Sequence, residues 1–197
     1  MLRLGITGGI GSGKSFALRF FEKRGYPVID ADDLAKRCLQ HDNNLKNKIK
    51  FQFGDDIYKK DTLEKKLLAE RAFSCEVNQK ALNDMVHPAV HQETITFFNN
   101  AEKGNHPLAV VEASMLFEAG HFEIYDHILL ITASEEIRIE RALLRNNLNR
   151  EQILSRMNLQ MSEKEKSGLS HTVIHNNGSI EDLEKQLSIF LNKLFNN

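Results

Sequence analysis

Gly8-Gly9-Ile10-Gly11-Ser12-Gly13-Lys14-Ser15 carries the sharpest chemical signal in the sequence. Its spacing is G-x-x-x-x-G-K-[ST], the pattern of a loop that holds nucleotide phosphates. Glycines let backbone N–H groups approach phosphate oxygens with no Cβ in the way. A helix opening at Lys14 points its positive end at the same anion. In such loops the lysine reaches the β- and γ-phosphates, and the serine hydroxyl, here Ser15, holds Mg²⁺. The flanks agree: Leu2 to Ile6 reads as a short strand, and Phe16, Ala17, Phe20 and Phe21 mark one face of a helix stopped near Gly25. A glycine-rich turn with a surface lysine is the bland alternative, and it leaves the strand before and the helix after unexplained.

A second candidate is Asp30-Ala31-Asp32, which follows the short apolar run Pro27-Val28-Ile29. In a parallel sheet the second strand ends beside the phosphates. A carboxylate there has two readings. It accepts the proton of an attacking hydroxyl or holds magnesium water, or it simply caps the helix that follows, from Leu34 to Leu39. Glu112, at the end of a later apolar run, carries the same pair of readings, magnesium helper or core-edge acid. The loop alone leaves three classes open: a GTPase switch, an ATPase motor and a small-molecule kinase. No Asn-Lys-x-Asp base-recognition segment is present, and 197 residues are short for a motor. A small kinase suits the size, with alternative acceptors among nucleosides, nucleotides and sugars. A slow nucleotide switch working through a protein partner is the remaining alternative.

The elements that must position these residues read as an α/β chain. Compact apolar runs at Leu108 to Val111, His127 to Ile131 and Thr172 to Ile174 suit parallel strands covered on both faces. Ser134 starts a charged helix reaching Leu144, and Ser179 with Asp182 forms a capping-box pattern opening a final helix. Strand and helix alternate, which argues for a parallel sheet flanked by helices. Between His41 and His106 the chain is polar and helical in pattern, with no convincing buried strand. One amphipathic run carries Leu63, Leu67, Leu68 and Phe73; another carries Ala81, Leu82, Met85 and Val86 and is expected to break at Pro88.

Composition bounds the rest. Hydrophobic residues make up 41% and charged residues 27%, an ordinary globular mix. Lys plus Arg number 26 against 27 Asp plus Glu, a net charge of −1, so a nucleic-acid partner is not expected. No apolar run approaches the roughly 18 residues of a membrane span. Cys38 and Cys75 form no CxxC, and the N-terminus lacks a secretory core, so the expectation is a soluble cytoplasmic protein. His87 with His91, and His171 with His175, are four apart, but no third ligand is evident for a zinc site.

Thr7 to Ser15 followed by Val28-Ile29-Asp30-Ala31-Asp32 resembles the dephospho-coenzyme A kinase family. The resemblance continues through Leu82-Asn83 with Val86-His87-Pro88, Leu116-Phe117-Glu118, Arg141, Arg145-Asn146, Gln160-Met161, and Val173-Ile174 with Asn176-Asn177-Gly178. It implies a P-loop NTPase-type parallel sheet with a helical acceptor-binding insertion and a helical lid. The core is expected at 1–40, 107–140 and 171–197, the insertion at 41–106 and the lid at 141–170. It implies transfer of phosphate from ATP, with Mg²⁺, to the ribose 3′-hydroxyl of dephospho-CoA. The acceptor is thus a small molecule, and the protein a monomer or weak homo-oligomer.

By position the resemblance makes Asp32 the base, and Lys14 with Arg141 or Arg145 the stabilisers of the transferring phosphoryl group. Arg138, Arg141 and Arg145 also fit a solvated charged helix face, since Glu135, Glu136 and Glu140 are interleaved. Gly8, Gly9, Ile10, Gly11, Ser12, Gly13, Lys14, Ser15, Phe16, Asn176 and Gly178 are the implied nucleotide contacts. His87 belongs by resemblance to the acceptor pocket, with Lys65 and Arg71 as partners for acceptor phosphates; a lone histidine also reads as a turn or core residue. Phe16, Ser114, His171 and His175 depart from the family pattern, which bears on the adenine side and leaves Lys14, Ser15 and Asp32 untouched.

Overall fold

Aliphatic and β-branched runs make the strands, and the glycine, asparagine and serine clusters between them make the turns. A computed structural model describes residues 1–145 and 149–196. The first half of the chain comprises β1 (Leu2–Thr7), α1 (Lys14–Glu22), β2 (Val28–Asp30), α2 (Ala31–His41), α3 (Asn43–Phe53), β3 (Tyr58–Lys59), β4 (Thr62–Leu63) and α4 (Lys65–Ala72). The second comprises α5 (Glu76–Lys103), β5 (Leu108–Glu112), β6 (His127–Thr132), α6 (Glu135–Arg145), α7 (Arg150–Asn158), α8 (Glu163–Leu169), β7 (Thr172–His175) and α9 (Ile180–Asn196).

The chain divides into two units, residues 1–30 with 98–197, and 31–97. The first holds a five-stranded parallel sheet in the order β2-β5-β1-β6-β7. All five residues of β5 are buried, as are the last five of β6, because helices cover both sheet faces. On one face Leu4, Ile6, Val110, Leu129 and Ile131 pack with Phe20 and Phe21 of α1 and Leu183, Leu187 and Phe190 of α9. On the other, Leu116, Phe117 and Ile128 form a smaller cluster. Parallel register puts the ends of β1, β2, β5, β6 and β7 on one edge: Ile6 and Asp30 both face Glu112, and Thr132 faces His175. Ligands in such sheets collect at that edge. The Ser179–Asp182 capping box forms, with Asp182 N–H donating to Ser179 Oγ at 3.2 Å.

The second unit is helical, with a two-stranded ribbon, β3 paired with β4. The ribbon departs from the helix expected to include Leu63. Its turn, Lys60-Asp61, takes φ of 49° and 66° without the glycine or asparagine that usually announces such a turn. Tyr58 Oη donates to Leu39 O at 2.6 Å, and Gln40 holds both Asp61 O and Leu63 N, so the ribbon is anchored on α2. Phe73 is largely exposed rather than packed.

Pro88 does not break its helix: α5 runs through it for 28 residues. An interior proline costs about 3 kcal/mol. The helix buries Leu82 and Val86 before the proline and Phe98 and Ala101 after it, and that burial exceeds the cost. The helical unit takes in α2, and residues 98–106 fall with the sheet. Among the described residues no helix is long and apolar enough to cross a membrane.

Candidate active site

β1 delivers the chain to the sheet edge at Thr7, and α1 begins at Lys14, so residues 8–13 form the connecting loop. Gly13 has φ of 107°, a conformation that an L side chain resists. A Cβ there would also collide with the Asn176 side-chain amide. Lys14 is 8% exposed. Its Nζ donates to Gly9 O at 3.2 Å and lies 3.8 Å from Glu112 Oε1. Glu112 is itself 4% exposed, so the buried ammonium has a buried counter-charge, without which its desolvation would be costly. The hydroxyls of Thr7 and Ser12 are buried and make no hydrogen bond among the described residues. Ser15 is exposed at the start of α1. Phe16 is half-buried against the main core cluster, so it has a packing role.

Side chains from the end of β7 and from α6 to α8 hold this loop from outside. Asn176, at the end of β7, donates from Nδ2 to Ser12 O at 2.8 Å. Ile10 packs with Ile139 and Ala142 of α6 and Ile153 of α7. Ile10 N–H donates to Gln160 Oε1 at 3.3 Å, and Gly9 N–H to Glu163 Oε1 at 2.8 Å. Asn176, expected as a nucleotide contact, thus clamps the loop's backbone.

The three arginines of α6 separate. Arg141 donates from Nη1 to Asn176 O at 2.8 Å and from Nη2 to Gly178 O at 3.1 Å, so it binds the turn after β7. Arg145 is exposed. Asn146, read with it as part of the lid, lies outside the described residues. Arg138 is 7% exposed, with Nη1 3.7 Å from Glu163 Oε1. Its side chain donates from Nε to Ala133 O at 3.2 Å. The sequence places Arg138 on the same helix face as Arg141 and Arg145, three residues before Arg141.

The Leu116-Phe117-Glu118 stretch buries its two apolar side chains and turns Glu118 to the segment between α7 and α8. Glu118 Oε1 accepts from Met161 N–H at 2.7 Å and lies 3.1 Å from Lys166 Nζ. Lys166 is fully buried and also donates to Ser114 O at 2.8 Å.

In the helical unit, Asp32 is exposed in the first turn of α2, and Lys65 is exposed at the start of α4. Arg71 forms a two-pronged pair with Asp56 at 2.6–2.7 Å and donates to Phe53 O. That hydrogen-bonded pairing holds the Asp56 carboxyl below its ordinary range. His87 is half-buried in α5.

The sequence matches the dephospho-CoA kinase (CoaE) family over residues 2–182. It is 35% identical over 192 residues to the dephospho-CoA kinase of Lactobacillus johnsonii, covering 97% of each chain. A solved structure, TT1252 from Thermus thermophilus, is 36% identical with a TM-score of 0.82, covering 98% of this chain and 97% of that one. The dephospho-CoA kinase of Campylobacter jejuni, at 24% identity, shares the fold with a TM-score of 0.74, covering 98% of this chain and 96% of its own. A phosphate-binding loop at the carboxyl edge of a parallel sheet, with relatives matching along almost the whole length, places this chain in the dephospho-CoA kinase family.

Proposed function

We propose that the chain transfers the γ-phosphoryl group of ATP to the ribose 3′-hydroxyl of dephospho-CoA, giving CoA and ADP. The observation that carries this is Lys14, held at the sheet edge between Gly9 O and Glu112 in a chain similar to dephospho-CoA kinases from end to end. Such transfer needs positioning and charge neutralisation more than covalent chemistry. Lys14 moves from Glu112 to the terminal phosphates and offsets their developing charge. Asp32 accepts the proton of the attacking hydroxyl. Arg141 and Gly178 shape the adenine side, and Arg145 meets the triphosphate from α6. Lys65, Arg71 and His87 serve the acceptor; for Arg71 this means sharing its guanidinium with Asp56.

The oxygen donors fit magnesium. Ser15 lies in the first turn of α1, and Asp30 and Glu112 end the paired strands β2 and β5. Among the described residues no group of three or more His, Cys, Asp or Glu forms a ready-made cage. Mg²⁺ commonly takes one or two protein oxygens and completes its shell with phosphates and water. Bound there through Ser15, it would neutralise phosphate charge. A cytoplasmic, monomeric or weakly associating enzyme completes the proposal.

The test is ADP release from Mg²⁺-ATP with dephospho-CoA beside a panel of nucleosides, nucleoside monophosphates and sugars, with product mass recorded. One added phosphate on dephospho-CoA alone is expected. Phosphorylation of a different acceptor would discard the assignment. Asp32→Asn is expected to lower kcat by about 10²-fold or more with ATP binding kept; near-normal turnover removes Asp32 from its role.

A further inference from the structure

We propose that Glu163 is a stand-in for phosphate at the leading half of the loop, and that Arg138 is a triphosphate-binding residue which Glu163 holds in place. The proposal rests on reading residues 8–15 as the ATP site and adds two residues to it.

Gly9 is the meeting point. Its carbonyl accepts from Lys14 Nζ, and its N–H donates to Glu163 Oε1 at 2.8 Å. In loops of this kind the lysine reaches the β- and γ-phosphates. The Gly9 peptide thus marks the end of the loop nearest the terminal phosphates. Glu163 and the guanidinium of Arg138 converge on this peptide: a Cβ on Gly9 would collide with Arg138 Nη1 and lie 2.6 Å from Glu163 Oε1. A side chain at this position would have to displace the ends of both residues.

The pair is half-made. Nη1 stands 3.7 Å from the carboxylate, an ion pair without a hydrogen bond. Glu163 Oε2 is buried with no hydrogen bond among the described residues. The terminal nitrogens of Arg138 likewise make no hydrogen bond among the described residues, although its side chain is only 8% exposed. A buried guanidinium and a half-buried carboxylate with one buried, unpartnered oxygen are poorly satisfied among the described residues, and each gains by a better partner. A phosphate offers Arg138 a two-pronged acceptor. Within the two pairs the charges cancel, Lys14 with Glu112 and Arg138 with Glu163. A polyanion entering the loop upsets that balance, and it is restored when a phosphate replaces the Glu163 carboxylate beside Arg138 and Gly9 N–H. Because Glu163 is the first residue of α8, the exchange releases the start of α8 from the loop.

Glu163→Gln isolates the charge, since the amide oxygen can still accept from Gly9 N–H. Calorimetric titration of Mg²⁺-ATP and Mg²⁺-ADP, without acceptor, reads the outcome. Removing a unit anion at this range should tighten ATP binding about five- to tenfold and ADP binding by a smaller factor. Arg138→Gln should weaken ATP binding about tenfold, again more than ADP. Unchanged or weaker ATP binding by Glu163→Gln overturns the proposal, as do equal factors for ATP and ADP. A fault in folding from Arg138→Gln leaves Glu163→Gln decisive. Neither titration involves the acceptor, so a wrong acceptor assignment would not touch the result. Failure of the unaltered protein to bind ATP would instead sink the reading of the loop.

Discussion

Lys166→Met should destabilise the protein by about 4 kcal/mol. The ammonium is fully buried, 2.8 Å from Ser114 O and 3.1 Å from Glu118 Oε1. Methionine keeps the length and most of the volume of the stem, so packing changes little. What remains is a carboxylate with 14% side-chain exposure whose one other donor among the described residues is Met161 N–H. Removing one partner of a buried pair usually costs about 3–5 kcal/mol. The partial exposure of Glu118 argues for the lower end, and the lost donor to Ser114 O adds about 1 kcal/mol. The sum is a large part of the roughly 5–15 kcal/mol a domain possesses. Urea unfolding gives the number directly, with an unchanged m-value confirming that only stability moved. The double variant Lys166→Met with Glu118→Gln removes the stranded charge. It should be more stable than Lys166→Met alone, with a coupling of about 2 kcal/mol in the cycle. A single-variant loss below about 1 kcal/mol, or strict additivity, would refute the view that a buried ion pair fastens α8 to the turn after β5.

Asn176→Ala takes away the donor to the Ser12 carbonyl and should cost about 1–3 kcal/mol. ATP affinity should fall with it because the loop loses its clamp; calorimetry beside urea unfolding checks both. Lys14→Ala should lower kcat by about 10²–10³-fold through lost phosphate stabilisation, and wild-type turnover would end the loop assignment. His127 gives a pH dependence. Burial first, and the nearby charge of His171 second, hold the His127 imidazole below its ordinary value. The unfolded chain therefore takes up this proton more readily than the folded one. Its contribution is full above a pH of about 6.5 and is lost as the pH falls through the folded value. His127→Gln should flatten the thermal midpoint between about pH 7 and 5 relative to the unaltered protein.

The sheet was readable because a doubly covered parallel strand needs apolar side chains on both faces. Leu108 to Val111 and Ile128 to Ile131 declare themselves as unbroken runs. The loop was readable because eight consecutive positions are constrained at once. The β3–β4 ribbon was not, since its turn uses Lys60 and Asp61 in a conformation that neither residue type announces. The break expected at Pro88 failed because local chemistry was weighed without the burial on both sides. Two capping boxes, Asn149 with Gln152 and Ser162 with Glu165, were present in the sequence as N-x-x-Q and S-x-x-E and went unread. The Arg138–Glu163 pair could not be read at all: the two residues are joined only when α6 and α8 both lie against the loop.

These contacts give the phosphate loop an asymmetry that its glycines alone would not. Its trailing half is held by Asn176, a neutral amide on the Ser12 carbonyl, and Asn176 is itself held by Arg141 and by its own N–H on Thr132 O. A neutral clamp on a carbonyl does not compete with an anion for N–H donors, so it can stay in place when phosphate binds. This is preorganisation of the kind that spares reorganisation during the reaction. The leading half is held by Gln160 and Glu163, both of which accept from loop N–H groups that an anion would also seek. Fixed geometry therefore belongs to the trailing half and exchange to the leading half. On that division, substitutions at Asn176 should weaken every nucleotide alike, while those at Glu163 should sort nucleotides by the number of their phosphates.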